Sequence, residues 1–520
     1  MICYAILGRA QEGMKHIGFI CFILTVVAGG ARGTNLLVYN NGDSGPGSFR
    51  QAILDNNNLG GGNTIVFSNI VAGTITLTTG ELLITNNATI IGPGADVLAV
   101  DGNAADRVFH VNNGVTVAIS GLTITNGNVS GVRGGGITCE NSTLTVSNCT
   151  ISGNNAEFGG GMSIDVSTGT VANCSISGNM ASYGAGIYNY YSTLTVSNCA
   201  INGNAGGAGG GFYDWGYSGS AALTVIASTL SSNSATATGG GIFNNGQYGD
   251  ATLTIIASTL VDNSASYQGG GIYNFTCAPG SATLTVVACT FSGNSATHGG
   301  GIRNDAYSCP FFRSTIDGDS DIRTSTASGA TLEIGDTILN AGALGENIES
   351  LSGTVISDGY NLSSDGAGGY LTAVTDQINT DPKLGPLADN GGSTKTMALF
   401  VGSPAIDAGN SFGLGTDQRG KPRYDNPNVA NATGGDGADI GAYEGSELRI
   451  VNVQKTGNHL QLDFINWLGT NYEVQSRSDM VTGSWDSLGF TNAGNGGIAT
   501  IVVSNAFGQS QQFYRIHPVQ

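Results

Sequence analysis

Leu144-Thr-Val-Ser-Asn-Cys-Thr-Ile-Ser-Gly-Asn154, followed by Gly159-Gly-Gly-Met162, is the stretch whose reading decides the fold. Leu144 and Val146 alternate with polar residues at the period of a β-strand, and Gly153 and the glycine triplet break the chain into short pieces. The block returns at Leu194–Asn204, Leu223–Asn233, Leu253–Asn263 and Leu284–Asn294. The third glycine of the cluster falls at Gly136, Gly161, Gly186, Gly211, Gly241, Gly271 and Gly301, giving spacings of 25, 25, 25, 30, 30 and 30 residues. A repeat of two or three short strands cannot enclose a core, but stacked repeats bury one continuous interior.

The pattern therefore predicts an all-β chain, a right-handed parallel β-helix over residues 74–340 with coils about 4.8 Å apart. Equivalent residues then form ladders. Cys149, Cys174, Cys199, Ser228, Ser258 and Cys289 make one, and Asn154, Asn179, Asn204, Asn233, Asn263 and Asn294 another. The ladder cysteines read as buried free thiols, because parallel strands rarely orient Cβ atoms for a disulfide and serine takes the same position twice. Cys277 and Cys309, in longer excursions, are the better disulfide candidates. The absence of a Cys-x-x-Cys pair argues against structural zinc.

Glycine supplies 84 of 520 residues, 11% are charged, 40% are hydrophobic and only 10 are proline, which excludes disordered, coiled-coil and collagen-like classes. The formal charge of −19 argues against a nucleic-acid partner. Met14-Lys-His16 precedes an apolar run from Ile17 to Ala28 and the small residues Gly29-Gly-Ala31, the pattern of a secretory signal within residues 1–33. Met1–Gly13 has no role in such a signal, so Met14 is an alternative start. The run is short for a membrane span, and export to the extracellular space or outer cell surface is the expectation, with no integral membrane segment after signal removal.

Both ends of an open β-helix need covers. Residues 34–73 are read as an N-terminal cap in which Ser48 caps a helix that buries Phe49, Ala52 and Ile53. After residue 445 the alternation in Leu460-Gln-Leu-Asp-Phe464, Tyr472-Glu-Val-Gln475, Ala499–Val503 and Phe513-Tyr-Arg-Ile516 predicts a small antiparallel β-sandwich over 447–520.

Asp43-Ser-Gly-Pro-Gly-Ser-Phe-Arg-Gln-Ala-Ile53 resembles the opening motif of secreted bacterial right-handed β-helix proteins of pectin-lyase-like fold. Asn379-Thr-Asp-Pro-Lys-Leu-Gly-Pro-Leu387, Gly402-Ser-Pro-Ala-Ile-Asp-Ala-Gly409 and Asp439-Ile-Gly-Ala-Tyr-Glu444 resemble the choice-of-anchor Q domain, here residues 341–445, which would complete or cap the helix. Ile151-x-x-Asn154 followed by Gly159-Gly-Gly-Met162 is similar to polymorphic outer-membrane protein repeats, found in adhesins. Those proteins end in a membrane barrel, whereas only about 75 residues follow Glu444. The resemblance implies an adhesin-like surface or secreted protein and names no reaction.

Lyase or hydrolase chemistry needs convergent carboxylates, and lyases add calcium and a base. Of Glu140, Asp165, Asp214 and Asp305, only Glu140 and Asp165 fall on adjacent coils, and Arg133 and Arg303 sit at opposite ends. No catalytic residue is assigned. Non-catalytic adhesion or glycan binding is the favoured reading, with a polysaccharide lyase or glycoside hydrolase as the alternative. Aromatic residues are more specific: Tyr188, Tyr190, Tyr213, Trp215, Phe243, Tyr273 and Phe275 occupy the second and fourth positions after successive glycine clusters. Alternation places them outside the coil as a stripe, with Ile187, Phe212, Ile242 and Ile272 inward and Asn245 and Asp214 nearby for polar contacts. Such a stripe suits a polysaccharide or surface glycan, or serves as a sheet stabiliser under a covering segment. No cofactor is implied. Asp317, Asp319 and Asp321 form a weak calcium candidate, with Ile322 in place of the turn glycine and Ser328 in place of the terminal glutamate.

Overall fold

The computed structural model describes residues 33–519 apart from 278, 308–309, 312–322, 325–328, 401, 424, 426–428, 446–448, 466–470, 479–484, 494–497, 505 and 507–512. The signal segment and the Asp317–Asp321 calcium candidate thus lie outside the described residues. Each regular coil contributes one strand to each of four parallel sheets. In the coil that starts at Ile137 these are Ile137–Glu140 (fourth sheet), Thr143–Ser147 (first), Thr150–Ser152 (second) and Asn155–Phe158 (third). The four sheets contain 12, 11, 5 and 10 strands respectively. Thr143, Thr168 and Thr193 pair without offset, as do Ile151, Ile176 and Ile201, so the 25-residue spacing is one coil.

Alternation decides which residues are inside. Leu144, Val146, Ile151 and Cys139 are buried, and their equivalents run on as a single apolar core from Val38 to Leu371. The expected ladders both form. Cys149, Cys174, Cys199 and Cys289 are buried free thiols, and the Cys149 N–H donates to Cys174 Sγ at 3.4 Å. Burial pushes the Cys289 thiol up to about 12, so it is no nucleophile at neutral pH. Cys277 is disulfide-bonded, and Cys309 lies outside the described residues.

The N-terminal cover combines sheet and helix. Asn35–Val38 already pairs with Asn63–Phe67 in the first sheet, and the helix Phe49–Asn58 plugs the coil end. Ser48 accepts from the Gln51 N–H at 3.1 Å, while Phe49 packs edge-on to Phe67 and Phe109 at 5.0 and 5.9 Å. Asp43 pairs with Arg50 at 2.8 Å and accepts from Thr78 and Thr79, and Arg50 donates to the carbonyls of Gly80 and Glu81. Burial pushes the Asp43 carboxyl up, but the hydrogen bonds from Thr79, Thr78 and Arg50 more than offset it and hold it down at about 2.

At the other end, Ile348–Leu351, Thr354–Gly359 and Leu362–Ser363 extend the fourth, first and second sheets. The chain then turns back along the second sheet. Gln418 bonds Thr229 and Thr259 on neighbouring coils, and the Ala442 N–H donates to Thr290. Beyond residue 448, two three-stranded antiparallel sheets share a core of Leu460, Leu462, Phe464, Tyr472, Val474 and Ile501. Among the described residues no helix is long and apolar enough to cross a membrane.

Candidate functional site

The glycine cluster builds the corner from which the aromatic residues project. Gly134, Gly159, Gly184, Gly209, Gly239, Gly269 and Gly299 all adopt φ between 61° and 67°, and a Cβ on Gly159 would lie 2.1 Å from the Met162 carbonyl oxygen. Only glycine fits there. The corner delivers Ile187 inward, Tyr188 outward, Asn189 inward and Tyr190 outward, and each following coil repeats the alternation in register.

Outward projection does not leave the stripe bare. Tyr188, Tyr213, Phe243 and Tyr273 are 0%, 5%, 8% and 4% exposed, while Tyr190, Trp215 and Phe275 are half-buried. The rings form an apolar cluster of their own, separate from the coil interior. Phe158 and Tyr183, at the end of the third sheet, cover the inner row: they stack at 5.2 Å, Phe158 lies 5.2 Å from Tyr188, and Tyr183 meets Tyr213 edge-on at 5.6 Å. The expectation of seven solvent-facing rings is thereby corrected to a buried inner row and an accessible outer row. Tyr217, 5.1 Å from Trp215, and Tyr307, 5.8 Å from Phe275, flank the outer row on one side. Asn245 does serve the stripe, donating to Tyr213 Oη at 2.8 Å. Asp214 does not: it points into the coil between Asn189 and Asn244 and is fully buried.

Charged residues terminate the stripe at both ends. Upstream, the row that carries Tyr188 continues through Ser163, Thr138 and His110, and the row that carries Tyr190 continues through Asp165 and Glu140. Arg133 pairs with Asp165 at 2.7 Å and lies over the Tyr190 ring at 4.6 Å. Glu81 pairs with Arg107 at 2.8 Å and His110 at 2.9 Å, and His110 Nε2 stands 3.8 Å from Glu140. A cleft of about 290 Å³ opens between Arg107, Arg133, Glu140 and Phe158. Burial lifts the Asp165 carboxyl to about 6 despite the opposing Arg133 charge. Burial also pushes Glu81 upward, but the His110 hydrogen bond and the Arg107 charge more than offset it, leaving the carboxyl below its ordinary value.

His110 Nε2, Thr138 Oγ1, Tyr188 Oη and Trp215 Nε1 are buried without a hydrogen-bond partner, and all four project from this face. Downstream, Arg303 pairs with Asp305 at 2.8 Å and with Glu349, and Glu349 also meets His298 at 3.2 Å. Sequence spacing linked neither Glu81 and Arg107 to Glu140 nor Phe158 and Tyr183 to the rings. Among the described residues no group of three His, Cys, Asp or Glu could hold a metal ion.

Residues 48–255 match the family model described as right handed beta helix region. The chain's fold is a right-handed parallel β-helix. That match covers the cap helix and the upstream charged cluster, and it ends within the coil after Trp215 and Phe243. No curated protein matches the chain.

Proposed function

We propose that this β-helix is an exported, non-catalytic protein of the extracellular space or outer cell surface that holds an elongated glycan along its fourth sheet. The observation that carries the reading is the half-buried row Tyr190, Trp215 and Phe275, supported from beneath by buried rings and ended by ion-paired clusters. Tyr190 and Trp215 on adjacent coils, and Phe275 beyond the Asn245 rung, offer a sugar chain apolar faces at little desolvation cost. The signal-like segment and the choice-of-anchor Q-like motifs support export and bacterial surface residence.

A second reading, a polysaccharide hydrolase or lyase, is favoured by Glu140 and Asp165, which are paired directly across neighbouring strands beside His110 and two arginines. A carboxyl with a raised proton affinity directly beside a second carboxyl is an arrangement that acid–base cleavage uses.

Trp215→Ala with Phe275→Ala is expected to abolish retention on the glycans that the intact protein recognises in an array, with a lowered melting temperature but a transition that stays cooperative. Tyr213 is unsuited to this test, because its removal strips Asn245 of a partner inside a packed cluster. Unchanged retention in the double variant would refute the binding reading. Release of reducing-end or unsaturated products from acidic polysaccharides, lost in Glu140→Gln or Asp165→Asn, would establish the enzymatic reading in its place.

A further inference from the structure

The first sheet carries a second regular surface. Thr145, Thr170, Thr195, Thr224, Thr254 and Thr285 pair in direct register across six consecutive coils, and all face outward beside the buried Leu144 and Val146 row. Two residues earlier on each strand a parallel row runs through Thr116, Thr143, Thr168 and Thr193, then Ala222, then Thr252 and Thr283. Thr116, Thr143, Thr168, Thr193 and Thr252 are exposed, and a shallow groove of about 400 Å³ follows the row from Thr116 to Thr193 past Val166 and Tyr191.

Three properties of this face are unlike the rest of the molecule. On the strands from Thr116–Ser120 to Ser281–Val287 neither threonine row carries a charge; the one charged outward residue there is Asp250, which accepts from Ser281, and the first charge on the Thr145 row is Glu333. Its threonine hydroxyls have no hydrogen bond within the protein among the described residues, whereas Thr123 and Thr125 on the second sheet donate to carbonyls of neighbouring coils. No aromatic ring stands in either threonine row over those coils, and Tyr191 at the edge of the groove is a single ring, so the rows offer no stacking platform for a sugar.

We infer that this face binds the surface of ice. Hydroxyls on stacked coils repeat at about 4.8 Å. That is too far for a direct hydrogen bond, but two O–H···O bonds of about 2.8 Å that meet at a tetrahedral water join oxygens about 4.6 Å apart. A water seated in each gap of the row therefore takes the separation that next-nearest oxygens have in a tetrahedral lattice. Threonine is stiff at χ1, and the ladder fixes its backbone, so the oxygens are held in place before the ligand arrives. The methyl groups between them lose little on contact. Charge argues against charged partners: in a chain of net charge −19 the two threonine rows stay uncharged from Thr116 to Thr285, so they present nothing to a polyanion or a basic protein, and ice is neutral.

The inference is independent of glycan binding on the fourth sheet, and the experiment separates the two. A slowly growing ice hemisphere is expected to take up the full-length protein and its Trp215→Ala variant. Thr170→Lys with Thr195→Lys is expected to lose that uptake and the inhibition of ice recrystallisation, with an unchanged melting temperature. Thr170→Ala with Thr195→Ala removes the hydroxyls without adding bulk and is expected to reduce both, which keeps the test valid if the lysine pair does not fold. Exclusion of the intact protein from ice to the same extent as serum albumin would overturn the inference, as would full uptake of either double variant. So would binding of the intact protein to microcrystalline cellulose through this face in the absence of uptake into ice.

Discussion

Asp214→Asn is expected to stabilise the protein, and to do so more as the pH rises from 4 to 8. Asp214 occupies one rung of an amide ladder inside the coil. Asn189 Nδ2 donates to Asp214 Oδ1 at 2.6 Å, Asn244 Nδ2 to Asn274 Oδ1 at 2.6 Å, and Asn274 Nδ2 to Asn304 Oδ1 at 2.8 Å. The one rung without a donor is the step from Asp214 to Asn244, where Asp214 Oδ2 and Asn244 Oδ1 both lack a partner. A protonated Asp214 supplies that donor. Burial lifts its carboxyl to about 8, against the smaller downward effect of the Asn189 hydrogen bond.

The raised value fixes the sign. Below the unfolded value near 4 both states hold the proton, and the stabilisation is fully present. Between about 4 and 8 the unfolded chain has released the proton while the folded chain retains it, so stability falls with rising pH, by about 1.4 kcal/mol per unit. Above about 8 Asp214 is ionised inside the coil. An asparagine stays neutral throughout and donates its Nδ2–H to Asn244, so the variant's advantage should grow to the order of 5 kcal/mol at pH 8. Denaturant melts of both proteins at pH 4.5 and pH 8 measure it. An advantage that does not change with pH would show that Asp214 is not protonated in the fold.

Asp214 also shows where sequence reading stops. The same alternation that placed Phe212 inward and Tyr213 outward places Asp214 inward, yet a carboxylate among rings reads as a surface contact until the neighbouring Asn189 and Asn244 are seen to share its lane. The coil itself was legible, because glycines, cysteines and asparagines repeat with one period and a strand has only two faces. The depth of Tyr188 was not. Its cover, Phe158 and Tyr183, lies before the glycine corner on another sheet, and whether two sheets meet closely is set by the turn geometry. Nor was the cluster of Glu81, Arg107, His110 and Glu140 legible, since the early coils are irregular and leave no common spacing to follow. The return of Gln418 to Thr229 and Thr259 joins residues more than 150 positions apart that share no pattern.

The asparagine ladder beneath the glycine corners gives the largest expected loss. Asn204 Oδ1 accepts from the Asn179 N–H and from Asn179 Nδ2, at 3.0 and 2.9 Å, and Asn204 Nδ2 donates to the Ile176 carbonyl and Asn233 Oδ1, at 3.0 and 2.9 Å. All of these groups are buried. Asn204→Ala leaves two donors on Asn179 without partners, and each such group costs about 1–3 kcal/mol, so a loss on the order of 4 kcal/mol is expected. Thr195→Ala, on the solvent face of the same coil, should cost no more than about 0.5 kcal/mol. The loss should reach the aromatic band, because Asn204 Nδ2 packs 3.4 Å from where a Cβ on Gly186 would sit, and Gly186 leads directly into Ile187–Tyr190. Hydrogen exchange in Asn204→Ala should therefore quicken at Asn179 and at Ile187–Tyr190 while the cap helix Phe49–Asn58 stays protected. A denaturation midpoint equal to that of Thr195→Ala would mean that the ladder follows from coil stacking and does not hold it.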